Sequence, residues 1–250
     1  VKTPTLTILC KPTNRLSSLM NDQSQLIKPN YKAVLFDLDG TLIDTAPDFI
    51  VCLNDLRAEY SLPPLANLEI RKVVSDGARA MVGLAFNATE ADGGFDEKKQ
   101  RFLDIYTENI CRESRLFDSL DTLLNWCDKN QIPWGIVTNK PRKFSELLLA
   151  KLGLLDALSS LVCADDVANP KPNAEPMLKA CAELNVSPEE CLYIGDHKRD
   201  IDAGKNANMK TVAAGYGYVH DEHEALSWNA DWTVQTSPEL TTLLMELLAP

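Results

Sequence analysis

The chain has 250 residues, 45% hydrophobic and 24% charged, enough to bury one large core or a core with an inserted unit. Its 36 acidic and 25 basic residues leave a net charge of -11 without a basic run, so it lacks the electrostatic footprint that nucleic acid or an anionic membrane surface requires. No apolar run approaches the roughly 20 residues of a membrane-spanning helix.

Residues 1–30, rich in Thr, Ser, Asn and Pro, have the composition of a polar extension, and "LTILC" is too short for a signal-peptide core. The first strand is expected at Val34–Asp37. A helix follows, with Thr45 as N-cap, Pro47 in its first turn, and Phe49, Leu53, Leu56 and Tyr60 at helical spacing. From Pro63 to about Arg115 the pattern is amphipathic and helical, broken at "SDGA" and "ADGGFDE", with no strand alternation. After Phe117 the rhythm changes. Helical patterns (Leu120, Leu123, Leu124, Cys127; Phe144, Leu147, Leu148; Met177, Leu178, Cys181, Leu184; "RDIDAGKNAN") alternate with the strands "PWGIVTN", "SLVCADD", "CLYIGD" and "KTVAAGYG". A short "WTVQ" and a helix from Pro238 end the chain. Alternation of this kind predicts an α/β fold, a parallel sheet with helices on both faces. Residues 46–116 interrupt the rhythm and are expected to form an inserted all-helical cap, leaving 31–45 and 117–250 as the core domain.

Ligands of such sheets bind at the carboxyl ends of the strands. The ends read "FDLDGT", "VTNK", "CADD" and "YIGD", the last running into "HKRD". They gather Asp37, Asp39, Thr138, Asn139, Asp165, Asp166, Asp196 and Asp200 at one edge, with Lys171 on the Pro-rich loop "NPKPNAEP". Several carboxylates in one cleft need a cation among them, and hard oxygen donors suit Mg2+, which also takes substrate phosphate. Asp37 then keeps an oxygen free to attack phosphorus, and Lys171 draws it toward the anionic phosphate. The Thr138 hydroxyl would hold phosphoryl oxygens. Asp39 would protonate the leaving alkoxide and later deprotonate water. Gly40 allows the tight turn between them.

"DLDGT", "VTNK", the lysine of "NPKP" and "GDHKRD" resemble, in order and spacing, the four motifs of the haloacid dehalogenase superfamily, and the resemblance runs through nearly everything from Tyr31 on. It implies that Asp37 is the nucleophile and Asp39 the acid/base. It also implies that Thr138 and Lys171 hold the phosphoryl group, and that Asp196, supported by Asp200, ligates Mg2+ together with Asp37 and the Asp39 carbonyl. The cap resembles that of the phosphoglycolate phosphatase-like branch. "DTAPDFI", "VVSDGARAMVGLAF", "TNKPRKF" and "YGYVHDEHEALSWNAD" resemble the bacterial N-acetylmuramic acid 6-phosphate phosphatases of peptidoglycan recycling. The expected partner is therefore a small phosphorylated metabolite, a sugar phosphate carrying a carboxylate, with phosphoglycolate as the alternative. Asn139 and the cap residue Arg79 are expected to contact it.

Competing readings are weaker. A dehalogenase has no use for Asp39. A phosphonate hydrolase needs a Schiff-base lysine from the cap, and Lys72, Lys98 and Lys99 have no evident apolar setting. A phosphomutase shares the motifs. A non-catalytic binder would be expected to lose Asp37 or Asp196, and no GxGxxG follows the first strand to support a dehydrogenase. Asp165 and Asp166 read as loop acids, and His197, His220 and His223 as exposed. The seven cysteines, odd in number and without CxxC spacing, read as thiols of a reducing, cytoplasmic compartment. The sequence sets no oligomeric state.

Overall fold

A computed structural model describes residues 31–221 and 223–249; the expected N-terminal extension lies outside them. Six strands form one sheet in the order β5-β4-β1-β6-β7-β8: β1 (Ala33–Phe36), β4 (Trp134–Val137), β5 (Ser160–Val162), β6 (Cys191–Gly195), β7 (Lys210–Ala214) and β8 (Trp232–Val234). Every pairing in it is parallel. β1 sits centrally, between β4 and β6, and all four of its residues are fully buried. A strand covered on both faces needs a continuous apolar run, which "AVLF" supplies.

The faces divide with period two. Val34 and Phe36 join one apolar cluster with Leu192, Ile194 and Val212. Ala33 and Leu35 join the other, with Val137, Tyr193 and residues of α7 (Glu175–Leu184) and α8 (Lys198–Asn206). The first face is covered by α5 (Leu120–Lys129), α6 (Arg142–Lys151) and α9 (Ser237–Leu248). On α7 the expected apolar stripe is corrected at Leu178, which is 48% exposed, while Ala180 turns inward.

The interrupting segment is helical: α1 (Ala46–Glu59), α2 (Asn67–Lys72), α3 (Gly77–Phe86) and α4 (Phe95–Asn109). Phe49 and Tyr106 stack at 4.3 Å, tying α1 to α4, and Leu53 and Leu56 are buried beside them; Tyr60, expected on this stripe, is exposed. The helices' interior is continuous with the first apolar cluster. Both ends of the segment are pinned by a short antiparallel pair that the sequence pattern did not announce, β2 (Ile43–Asp44) with β3 (Arg115–Leu116). Among the described residues no helix is long and apolar enough to cross a membrane.

Candidate active site

β1 stops at Phe36, so Asp37 opens the loop at its carboxyl end, tied to the sheet by its N–H donating to the Ile194 carbonyl at 2.8 Å. Thr138 holds the same place after β4, and Asp196 after β6. Asp200 lies in the first turn of α8, where its carboxylate accepts the His197 N–H at 3.1 Å. Oxygens of Asp37, Asp196 and Asp200 all fall within 4.8 Å of one another.

Burial makes that proximity costly. Asp37 is pushed up to about 6, mainly by burial, with Lys171 opposing and Asp200 adding to it. Burial, then the charges of Asp37 and Asp200, push Asp196 up to about 7. Hydrogen bonds hold Asp196 in place: the Thr41 hydroxyl donates to Oδ1 at 3.1 Å, and the Tyr218 N–H and Ser75 hydroxyl donate to Oδ2 at 2.9 and 3.1 Å. Two glycines make room for it. A Cβ on Gly40, whose φ is +82°, would come within 2.2 Å of Asp196 Oδ2, and one on Gly217 within 2.2 Å of Asp196 Cβ.

The neighbouring cation is Lys171, 4% exposed. Its Nζ donates to the Val137 carbonyl at 3.0 Å, the Tyr193 hydroxyl at 2.9 Å and Asp200 Oδ1 at 2.7 Å. Asp37 Oδ1 is 2.8 Å away. Those three acceptors already use the three ammonium protons, so the contact with Asp37 is chiefly charge on charge. Burial alone would lower the Lys171 pKa; Asp200 and Asp37 together raise it above its ordinary value, and it stays a cation. Asn139 staples the loop that carries it: the amide donates to the Lys171 carbonyl at 3.0 Å and accepts the Lys171 N–H at 3.1 Å.

Asp39 turns to other partners. Its Oδ1 accepts from the Thr45 hydroxyl at 2.7 Å and from Lys140 Nζ at 2.9 Å. Thr45 does occupy the N-cap position of α1, but without a capping bond: its hydroxyl is spent on Asp39. The orphan N–H groups of Thr45 and Ala46 go instead to the Tyr218 hydroxyl, at 2.7 and 2.8 Å. Lys140 is 9% exposed, its ammonium 4.7 Å from the centre of the Phe49 ring and 4.8 Å from that of Tyr106.

A cavity of about 410 Å³ opens over these groups, between the strand ends and the helices. Asp37, Asp39, Thr138, Asn139, Lys171 and Asp200 line its floor, and Phe49, Met81, Leu103, Tyr106 and Phe144 supply apolar walls. Arg79 reaches it from α3 and pairs with Glu90. Asp165 and Asp166 stay outside, holding Arg142 at the start of α6. His197, read from sequence as exposed, is partly buried on the cavity wall; His220 and His223 are exposed. Lys140 and Tyr218 were inside quoted motifs, "VTNK" and "YGYVH", yet no role was drawn for them from sequence. Their partners lie 101 and 174 positions away for the side-chain bonds to Asp39 and Asp44, which no local pattern reports.

Comparison with known proteins agrees with this arrangement. Residues 34–214 match the family model of haloacid dehalogenase-like hydrolases. The chain is 45% identical over 213 residues to an N-acetylmuramic acid 6-phosphate phosphatase of Pseudomonas aeruginosa, covering 85% of this chain and 94% of that protein. It is 38% identical over 209 residues to a phosphoglycolate phosphatase of Xanthomonas campestris, covering 84% and 94%. A crystal structure described as a predicted phosphoglycolate phosphatase from Haemophilus somnus superposes with a TM-score of 0.76 at 24% identity, over 85% of this chain and 97% of that one. Sheet order, strand-end residues and these matches agree: the chain belongs to the haloacid dehalogenase-like hydrolases.

Proposed function

We propose that the protein is a Mg2+-dependent phosphomonoesterase that works through an aspartyl-phosphate on Asp37. The observation that carries the reading is the buried ammonium of Lys171 between Asp37 and Asp200, at 2.8 and 2.7 Å, beside a third acid, Asp196. Three buried carboxylates, two of them pushed well above their ordinary range, form a set of hard oxygen donors, and such a set fits Mg2+. Asp37, Asp196 and Asp200 would hold the ion, with the Asp39 carbonyl as a further donor. When bound it would supply charge that draws the phosphate dianion and the carboxylate nucleophile together.

Asp37 attacks phosphorus as the ester oxygen leaves. Lys171 stabilises the charge that gathers on the phosphoryl oxygens, and the Thr138 hydroxyl donates to them. Asp39, held by Thr45 and Lys140, gives its proton to the departing alkoxide. It then takes a proton from the water that attacks the aspartyl-phosphate, which releases inorganic phosphate and restores Asp37. Asn139 serves this chemistry by fixing the Lys171 backbone.

The leaving group is met by the helical insert, residues 46–116, acting as a cap. The substrate best supported is N-acetylmuramic acid 6-phosphate. The relative at 45% identity acts on that compound by name, and a cavity of about 410 Å³ with apolar walls has room for an acetylated sugar. Arg79 at the cavity edge is suited to its carboxylate, by the forked geometry guanidinium offers. Phosphoglycolate is the second reading, favoured by the 38% identical relative. Unpaired thiols at all six described cysteines support a reducing, cytoplasmic setting. Phosphate release from a panel of sugar phosphates and phosphoglycolate, with and without Mg2+, tests the assignment.

A further inference from the structure

We propose that Arg199 is a positioning residue for the hydrolysis: it docks the turn before α3 of the helical insert on the strand-end face and seats Ser75 against Asp196. The inference rests on the phosphatase reading and adds to it a residue from outside the acid cluster.

Arg199 stands on α8, one position before Asp200. Its Nη1 donates to the Ser75 carbonyl at 3.1 Å and its Nη2 to Asp76 Oδ1 at 3.0 Å. Nε and the Arg199 backbone N–H both donate to His197 Nδ1 at 3.1 Å, so the imidazole braces the guanidinium from below. His197 Nε2 is itself 3.6 Å from Asp76 Oδ1. A planar fork can meet a carbonyl and a carboxylate of one turn together, which a lysine ammonium cannot copy.

The docked turn is well fixed on its own side. Val74 and Ile70 are buried, and the chain reverses into α3 through Gly77 at φ +84°. Between them Ser75 points its hydroxyl at Asp196 Oδ2, at 3.1 Å. A residue of the insert thus touches the acid cluster itself, and Arg199 holds that turn by two contacts on adjacent residues. Ser75, Asp76, His197 and Arg199 all line the cavity, so the docked turn forms the wall that faces the leaving group. Releasing it would leave the phosphoryl-binding floor intact and blur the orientation of the rest of the substrate, an error that costs up to about 100-fold per ångström.

The test compares Arg199→Ala, Asp76→Ala, the double variant and Arg199→Lys by two readouts. One is kcat/KM on the phosphomonoester that the unmodified enzyme hydrolyses best; the other is amide hydrogen exchange across the chain. Each alanine variant is expected to lose about 10- to 100-fold in kcat/KM. The double variant should fall no lower than Arg199→Ala, because both changes break one contact. Exchange should accelerate only in peptides spanning residues 73–78, and Arg199→Lys should not restore their protection. Losses that multiply in the double variant, or exchange that is unchanged or rises throughout the chain, would overturn the proposal. Failure of the unmodified protein to release phosphate from any ester would refute the phosphatase reading instead, and exchange would still decide the docking.

Discussion

Lys140 reaches Asp39 across the strand-end face, Nζ to Oδ1 at 2.9 Å, and rests at the same time on two aromatic rings of the helical insert. The lysine comes from the end of β4, and the rings, Phe49 and Tyr106, from α1 and α4. The residue proposed as acid and base is therefore oriented by a contact that spans core and insert. Arg199 and Ser75 make a second such bridge beside the acid cluster.

Lys140→Met keeps the apolar stem between the rings and removes the charge. The fold should survive, while kcat on an alkyl phosphate falls by about 10- to 100-fold, a fraction of the full general-acid contribution. An aryl phosphate, whose leaving group needs little protonation, should lose less. Steady-state rates on the two esters, with circular dichroism as the check on folding, decide the matter; equal losses would remove Lys140 from the positioning of Asp39.

Asp37→Asn is near isosteric and removes the nucleophile. Turnover should vanish with the fold intact. Sustained phosphate release by a purified variant, shown by intact mass to be free of deamidated protein, would contradict covalent catalysis at this position.

Asp39→Asn should behave differently. Asp37 can still attack, so the cost is that of a lost general acid, about 10²–10⁴-fold on alkyl esters. In single-turnover measurements the phosphorylation step should be spared for aryl esters. Its uniform loss across leaving groups would count against the acid role.

Asp37 and Asp196 carry pKa values of about 6 and 7 in the folded protein, above those of ordinary carboxylates. The folded, metal-free state therefore holds protons that the unfolded chain has released. That contribution to stability is present at low pH and is lost as pH rises through 6 and 7. Without metal, Tm should fall between about pH 5.5 and pH 8. A divalent cation replaces those protons, so Mg2+ should raise Tm more at pH 8 than at pH 5.5. Calorimetry with and without chelator gives both numbers, and a Mg2+ effect independent of pH would speak against these acids as its site.

Much of this architecture is legible in the residues themselves. "AVLF", "WGIV" and "CLYIG" are apolar runs that only a doubly covered parallel sheet can bury, and each delivers a site residue directly after it. What local patterns miss is set by distant partners. β2 and β3 are two residues each and exist because the insert must return to the point it left. Thr45 reads as a helix cap, yet Asp39 outbids the backbone for its hydroxyl and Tyr218 takes over the capping. Asn139 reads as a substrate contact by its neighbourhood, but its amide is occupied on both sides by Lys171. Leu178 fits the helical period and still faces solvent, because the neighbouring face of α7 already fills the space beneath the sheet.

The most direct test of the account is the rate of inorganic phosphate release from N-acetylmuramic acid 6-phosphate and from 2-phosphoglycolate, each with Mg2+ and with chelator. The account predicts Mg2+-dependent release from both or from the sugar alone, with the higher kcat/KM on the sugar phosphate. A preference for phosphoglycolate would overturn the substrate, and release from neither, or release undiminished by chelation, would contradict the proposed enzyme.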